Sequence, residues 1–183
     1  YPLRDPWACK HADHGFASLS KPYCMKIDFD IKPLDLSSGI DDFWILSGKK
    51  ILSIEKHFGQ NKGTPVITRN GEYVPQGWTE WTQGFQFGSA ILQFEACGDE
   101  VFLEIGRKNT IGKMAPHLTH FGVHDHGFNN ISTYGNMLRL MVEDKFNSND
   151  EVKAFYQLAL IVIGAVQDNR WSLTQGGGFI YSF

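Results

Sequence analysis

From Met25 to Lys32, apolar Met25, Ile27, Phe29 and Ile31 alternate with charged Lys26, Asp28, Asp30 and Lys32. A period of two over eight residues predicts one half-buried strand. The pattern then turns helical. Ile40, Phe43, Trp44, Ile51, Ile54 and Phe58 fall on one face, with Ser37 and Ser38 ahead as N-caps and Gly59 behind as a stop. Residues Val66 to Val74 read as a short hairpin around Asn70-Gly71, the dipeptide that tolerates positive φ at both central turn positions. A second helix is expected from Thr79 to Cys97, ending at Gly98. Asp99 caps a third, which runs to Met114 before Pro116 breaks it. Ile131, Tyr134, Leu138, Met141 and Val142 mark a fourth. Ser148 or Asn149 caps a fifth, whose stripe is Val152, Phe155, Ala159, Val162, Ile163 and Val166.

These elements predict an all-α chain with two regions. Residues 1–36, carrying Pro2, Pro6, Pro22 and Pro33, form an irregular arm with one short strand, and residues 37–183 form a series of helices. Helices this apolar on one face need partners, which consecutive antiparallel pairs supply. No fixed sequence repeat is visible, which disfavours a solenoid. After Gly176-Gly177-Gly178 the chain closes on Phe179-Ile180-Tyr181-Ser182-Phe183. That apolar ending reads as a chain entering packed structure, so the helical series is expected to be part of a longer fold, with an apolar flank left bare at each end. The alternative is a self-contained bundle in which the fifth helix packs back on the first.

Composition narrows the classes. At 183 residues, 42% hydrophobic and 20% charged, the chain sits with ordinary globular domains. A net charge of -3 and a pI of 6.2 supply no basic field for nucleic acid or an anionic membrane. The longest apolar run, Leu158 to Val166, is too short to span a bilayer. Tyr1 at the start fits either a removed leader or a trimmed upstream piece, and a periplasmic or extracellular location is expected over a cytoplasmic one. Cys9 and Cys24 share the arm and could pair there, while Cys97 reads as a buried thiol. Aromatics make up 14%, enough to pave a sugar cleft or simply to fill a core.

Two stretches carry the chemistry. Trp78-Thr79-Glu80-Trp81-Thr82-Gln83-Gly84-Phe85 opens a helix with two indoles, and Gly84 and Gly88, four residues apart, let a neighbouring helix come close. The indoles either stack on a sugar at the helix mouth or belong to the core. The second stretch runs from His117 through His120 to His124-Asp125-His126-Gly127-Phe128. A carboxyl between two imidazoles can be tuned for general acid or base work. Two other readings stay open: a metal site, opposed because His124 and His126 cannot share a helical face, and a helix cap formed by Asp125.

Trp81-Thr82-Gln83-Gly84-Phe85 with Gly98-Asp99-Glu100, followed by His124-Asp125-His126-Gly127-Phe128, resembles the ordered motifs of the unsaturated glucuronyl and unsaturated rhamnogalacturonyl hydrolases. The resemblance covers roughly Ser37 to Arg170. It implies an (α/α)6 toroid, in which paired helices ring a cleft and of which this chain supplies the N-terminal part. It also implies that Asp125 is the catalytic carboxyl, with His124 and Trp81 lining the uronate subsite. Trp78, Glu80, Gln83 and His126 complete the candidate substrate-binding set.

In that family an aspartate protonates the C4=C5 bond of an unsaturated uronic acid, and water adds at C5. Related toroid enzymes are β-glucuronidases on saturated substrates. Gln83 stands where the family commonly has Asp or Asn, and His126 where it has an aliphatic residue, which points to an altered substrate. The family's second aspartate is expected beyond Phe183, and Glu80 is the nearest stand-in. The expected partner is a uronic-acid-containing oligosaccharide, with no metal and no cofactor. Rival expectations are a sugar epimerase using His124 and His126, and a carbohydrate-binding protein with a degenerate site.

Overall fold

Helix α1 (Ser37–Phe58) shows how the amphipathic pattern becomes packing. In a computed structural model of the chain, which describes residues 28–58, 63–77, 81–122 and 124–181, its buried edge runs through Gly48 to Phe58, with Trp44, Ile51 and Ile54 half-buried. Ile40 and Phe43, expected on the same face, are exposed. The cause is geometric: Gln93, near the end of the facing helix, donates to Trp44 O at 3.1 Å, so the turns before Trp44 run past it.

The chain divides after Asp35 into two units. In the first, the strand expected over Met25–Lys32 is absent from its described part. Asp30 N–H donates to Asp28 Oδ1 at 3.0 Å and Lys32 N–H to Asp35 Oδ2 at 2.9 Å, so aspartate side chains turn the backbone locally. Residues 25–27, Cys9 and Cys24 lie outside the described residues.

In the second unit, strands β1 (Thr64–Arg69) and β2 (Glu72–Gln76) form the expected hairpin, with Asn70 and Gly71 at φ of 51° and 81°. Helix α2 (Thr82–Cys97) stops at Gly98, whose φ of 72° lets its N–H return to Phe94 O. Asp99 then caps α3 (Glu100–Lys113) by accepting from Val101 N–H at 3.0 Å, a bond that contributes about 1 kcal/mol. A 3-10 turn, Ala115–Leu118, follows at Pro116. Helices α4 (His126–Asn130) and α5 (Asn136–Val142) are joined through a π turn, Ile131–Gly135, into one rod. Asn149, accepting from Val152 N–H, caps α6 (Asp150–Asp168).

Strands β3 (Trp171–Thr174) and β4 (Gly177–Ile180) make a second hairpin that the helical reading missed. Gly178 permits it, because a Cβ there would sit 2.1 Å from the Trp171 ring. Phe179 and Ile180 are exposed on this hairpin, and Cys97, expected buried, is exposed at the end of α2.

Helices make up 66% of the described residues, and the class is all-α as expected. Packing is centred on α2, which meets α1, α3 and the α4–α5 rod. The rod therefore lies beside α2 although α3 intervenes in sequence. α6 packs on the rod and on the 3-10 turn, and Tyr134, Met137 and Leu140 of the rod share one core with Phe87, Ile91 and Tyr156. Ile131 and Val142, expected in the rod's buried stripe, are exposed. Its N-terminal part instead buries Asn129, Asn130 and Thr133, which apolar periodicity cannot signal. Arg139 on α5 grips Glu95 on α2 in a two-bond fork at 2.6 and 2.8 Å, worth at most about 1 kcal/mol at this exposure.

The closest approach is at Gly84 and Gly88. A Cβ on Gly84 would lie 2.3 Å from Asn129 Cα, and one on Gly88 would lie 2.5 Å from Ser132 O. Both obstacles are backbone, so neither can swing aside. Gly84→Ala is expected to force α2 and the rod apart and to cost about 1–3 kcal/mol, read as a lower midpoint in urea unfolding. An unchanged midpoint would mean that the two helices do not meet there.

Candidate functional site

The contact at Gly84 joins the two motifs. Gly84 N–H, one of the first-turn donors of α2 that no helical carbonyl can satisfy, donates to Asn129 Oδ1 at 2.9 Å. Trp81, the residue before α2, offers no side-chain cap, so a residue of another helix supplies it. This pins the mouth of α2 against the first turn of α4.

Three aromatic rings meet at that junction. Phe85 stacks on Phe128 with centroids 5.2 Å apart and planes 10° apart, and the Trp81 ring stands edge-on, 5.8 Å from Phe85 and 6.3 Å from Phe128. All three are partly open to solvent, with Trp81 at 48%. Trp81 is thus not a core residue, and its surroundings suit a stacking platform.

Asp125 immediately precedes α4, three residues before Phe128. Its side chain makes no cap bond, which removes the helix-cap reading; its Oδ1 instead faces His124 Nε2 at 3.3 Å. The imidazole is 48% exposed and the carboxyl 22%, so the pair is reachable from solvent. An imidazole and a carboxyl at this distance can hold and pass one proton.

Gln83 and His126 lie elsewhere. Both are buried in a line of hydrogen bonds running inward from the loop before α4. Gln83 Nε2 donates to Thr64 Oγ1 at 2.7 Å, and Gln83 Oε1 faces His117 Nε2 at 2.7 Å. His117 Nδ1 meets His126 Nδ1 at 3.3 Å, and His126 Nε2 meets His120 Nδ1. Asn130 donates to His126 O at 2.8 Å and Arg170 donates to Phe121 O and Tyr181 O, which holds the loop and the second hairpin around this line. Burial, with His117, His120 and Arg170 adding positive charge, pushes the His126 pKa down to about 4.

Among the described residues no group of three His, Cys, Asp or Glu is arranged to hold a metal, and both His126 nitrogens are already engaged by imidazoles. The structure therefore sets Trp81 against Phe85 and Phe128, places the His124–Asp125 pair immediately before α4, and buries Gln83 and His126 in the line of hydrogen bonds. Trp78 and Glu80 lie outside the described residues.

Phe85, Phe128, His117 and His120 lay within the two stretches but outside the candidate set, and Asn129 was missed altogether. A signal existed for some of them: Asn129 and Asn130 stand three and four residues after His126, a polar face at helical spacing where an apolar one was sought. Comparison with family models, with curated proteins and with solved structures found no match.

The His126 shift fixes a pH dependence. An unfolded histidine titrates near 6.5 and the folded one near 4, so between these values the unfolded chain binds the extra proton. Stability from this group is complete above pH 6.5 and falls as the pH drops towards 4, by on the order of 3 kcal/mol. Urea midpoints across that window are expected to decline in the wild type and to flatten in His126→Gln. Equal slopes in both would show that His126 is not the buried titrating group.

Proposed function

We propose that this chain belongs to a glycoside hydrolase of an (α/α)6 toroid that acts on uronic-acid-containing saccharides, with Asp125 as its general acid and base. The observation that carries the reading is the junction at Gly84–Asn129. The contact joins the exposed rings of Trp81 and Phe85 at the start of α2 to Phe128 in the first turn of α4, and that turn directly follows the solvent-reachable His124–Asp125 pair, whose carboxyl makes no cap bond to the helix. An exposed aromatic ring and a reachable proton donor are what a sugar ring undergoing proton transfer requires. The toroid is supported by the packing order, since α2 and the α4–α5 rod lie side by side with α3 and α6 each packed against the rod. The all-α class and the motif order agree with it.

On an unsaturated uronide the steps follow from the pair. Asp125 gives its proton to C4, and positive charge develops at C5. Water adds at C5 and returns a proton to Asp125, so the net change is addition of one water. The hydrated sugar then opens and releases its partner. His124, in contact with Asp125 Oδ1, holds the carboxyl in position and can stabilise its charged form. The epimerase alternative loses support, because His126 is buried with both ring nitrogens bonded inward. A sugar-binding protein without turnover remains the second reading, favoured by the openness of the aromatic platform.

Asp125→Asn keeps the shape of the side chain and removes its charge. Turnover of an unsaturated uronyl disaccharide, followed by the loss of its C4=C5 ultraviolet absorbance, is expected to fall by about 10²–10⁴-fold with the melting temperature unchanged. Wild-type rates in the variant would overturn the assignment. Binding of the disaccharide by the wild type without any turnover would support the second reading.

A further inference from the structure

Residues of α1, α2, α3 and the first hairpin together line a cavity of about 150 Å³. Helical spacing turns one face of each helix towards it. Ile51, Ile54 and Glu55 come from α1, Gln86 and Ser89 from α2, and Ile105 and Asn109 from α3. Phe87 and the Tyr73 ring add to the apolar part of the wall. None of these residues belongs to the Trp81–Asp125 set or to the histidine line. A cavity of this volume takes a single benzene-sized body.

The polar groups on the wall are out of balance. The Asn109 amide spends its two N–H on Glu55 Oε2 and on Ile105 O, each at 3.0 Å. Ser89 Oγ gives its one proton to Gln86 O at 2.8 Å. Acceptors are left over. Gln86 Oε1 is buried and receives no hydrogen bond, alone among the buried polar side-chain atoms of this wall. Ser89 Oγ keeps its lone pairs. Glu55 Oε1 faces Lys108 Nζ at 4.0 Å, too far for a hydrogen bond. The Lys108 side chain is half exposed and can turn to water, whereas the Glu55 carboxyl is 19% exposed.

What the wall lacks is a donor, and a donor with no acceptor of its own matches it. A hydroxyl brings one O–H but also two lone pairs, for which Asn109 and Ser89 have no proton left. An ammonium brings three N–H and no lone pair, and a carboxylate beside it strengthens the bonds.

We propose that this cavity binds a small primary amine in its ammonium form, carrying an apolar body the size of a benzene ring. Glu55, Gln86 Oε1 and Ser89 Oγ supply the acceptors, and Ile54, Phe87, Ile105 and the Tyr73 ring receive the apolar body. The site goes beyond the uronide reading and does not depend on it.

Titration of the full chain with benzylamine at neutral pH, followed in ¹H–¹⁵N spectra, tests the assignment. Saturable shifts are expected at Glu55, Gln86, Ser89 and Asn109, with benzyl alcohol binding about tenfold more weakly. Equal affinities would leave an apolar slot, and shifts that do not saturate by millimolar amine would leave a cavity for water. Either result overturns the proposal.

Two variants separate binding from folding. Glu55→Gln keeps an acceptor for Asn109 and removes the charge, so benzylamine is expected to lose its advantage over benzyl alcohol. Gln86→Met keeps the length of the side chain and removes the unpartnered oxygen. It is expected to leave the urea midpoint unchanged or slightly raised, because no bond is lost, and to weaken benzylamine severalfold. Unchanged benzylamine affinity in Gln86→Met would show that the buried oxygen receives no ammonium, and the site would be wrong.

Discussion

One contact between two helices, Gly84 against Asn129, holds the site together. It has two physical parts that depend on each other. Gly84 has no side chain, which lets the backbone of α4 come within contact distance of α2. At that distance the Asn129 amide oxygen can satisfy a first-turn N–H of α2 that would otherwise be buried without a partner. Gly88 repeats the close approach one turn later against Ser132 O, where the rod passes through its π turn. Without these two glycines the helices would stand apart by a side-chain diameter. Trp81 and Phe85 would then no longer reach Phe128.

The same contact separates what is offered to solvent from what is held beneath it. Above the junction lie the open rings of Trp81, Phe85 and Phe128 and the His124–Asp125 pair. Below it, Gln83 on α2, His117 on the 3-10 turn and His126 on α4 form a buried polar line, anchored to the first hairpin through Thr64. A buried polar line is costly unless every member is bonded, and the order of donors and acceptors along this one lets each ring satisfy the next. Alternate residues of the short segment from His124 to His126 thus have different fates. His124 turns out towards Asp125, while His126 turns in. A sequence reading that treats them as an equivalent pair cannot separate them.

Much of the fold was legible because its signals are local. The Asn70-Gly71 turn, the Gly98 stop, the Asp99 cap, the Pro116 break and the Asn149 cap each depend on one residue's backbone preference or side-chain reach, and each is where the pattern puts it. What escaped depends on partners distant in sequence. Ile40 and Phe43 continue the apolar face of α1 but run past α2. The rod buries asparagines where periodicity seeks aliphatic residues, because its facing surface is the glycine notch of α2. The alternation ending at Lys32 gave way, in its described part, to aspartate-closed turns. In the site, residue types pointed to Asp125 and Trp81, whereas the line through His117 and His120 exists only because four separate segments meet.

The central claim is that Trp81 and Asp125, 44 positions apart in sequence, act on one sugar. A double-mutant cycle on binding of a uronyl disaccharide, measured by calorimetry with Trp81→Ala, Asp125→Asn and the pair, tests it most directly. Two groups sharing a ligand across this junction are expected to show a coupling energy of about 0.5–3 kcal/mol. Strictly additive losses would mean that the aromatic platform and the carboxyl serve different ligands, and the account of a single uronide site would be contradicted.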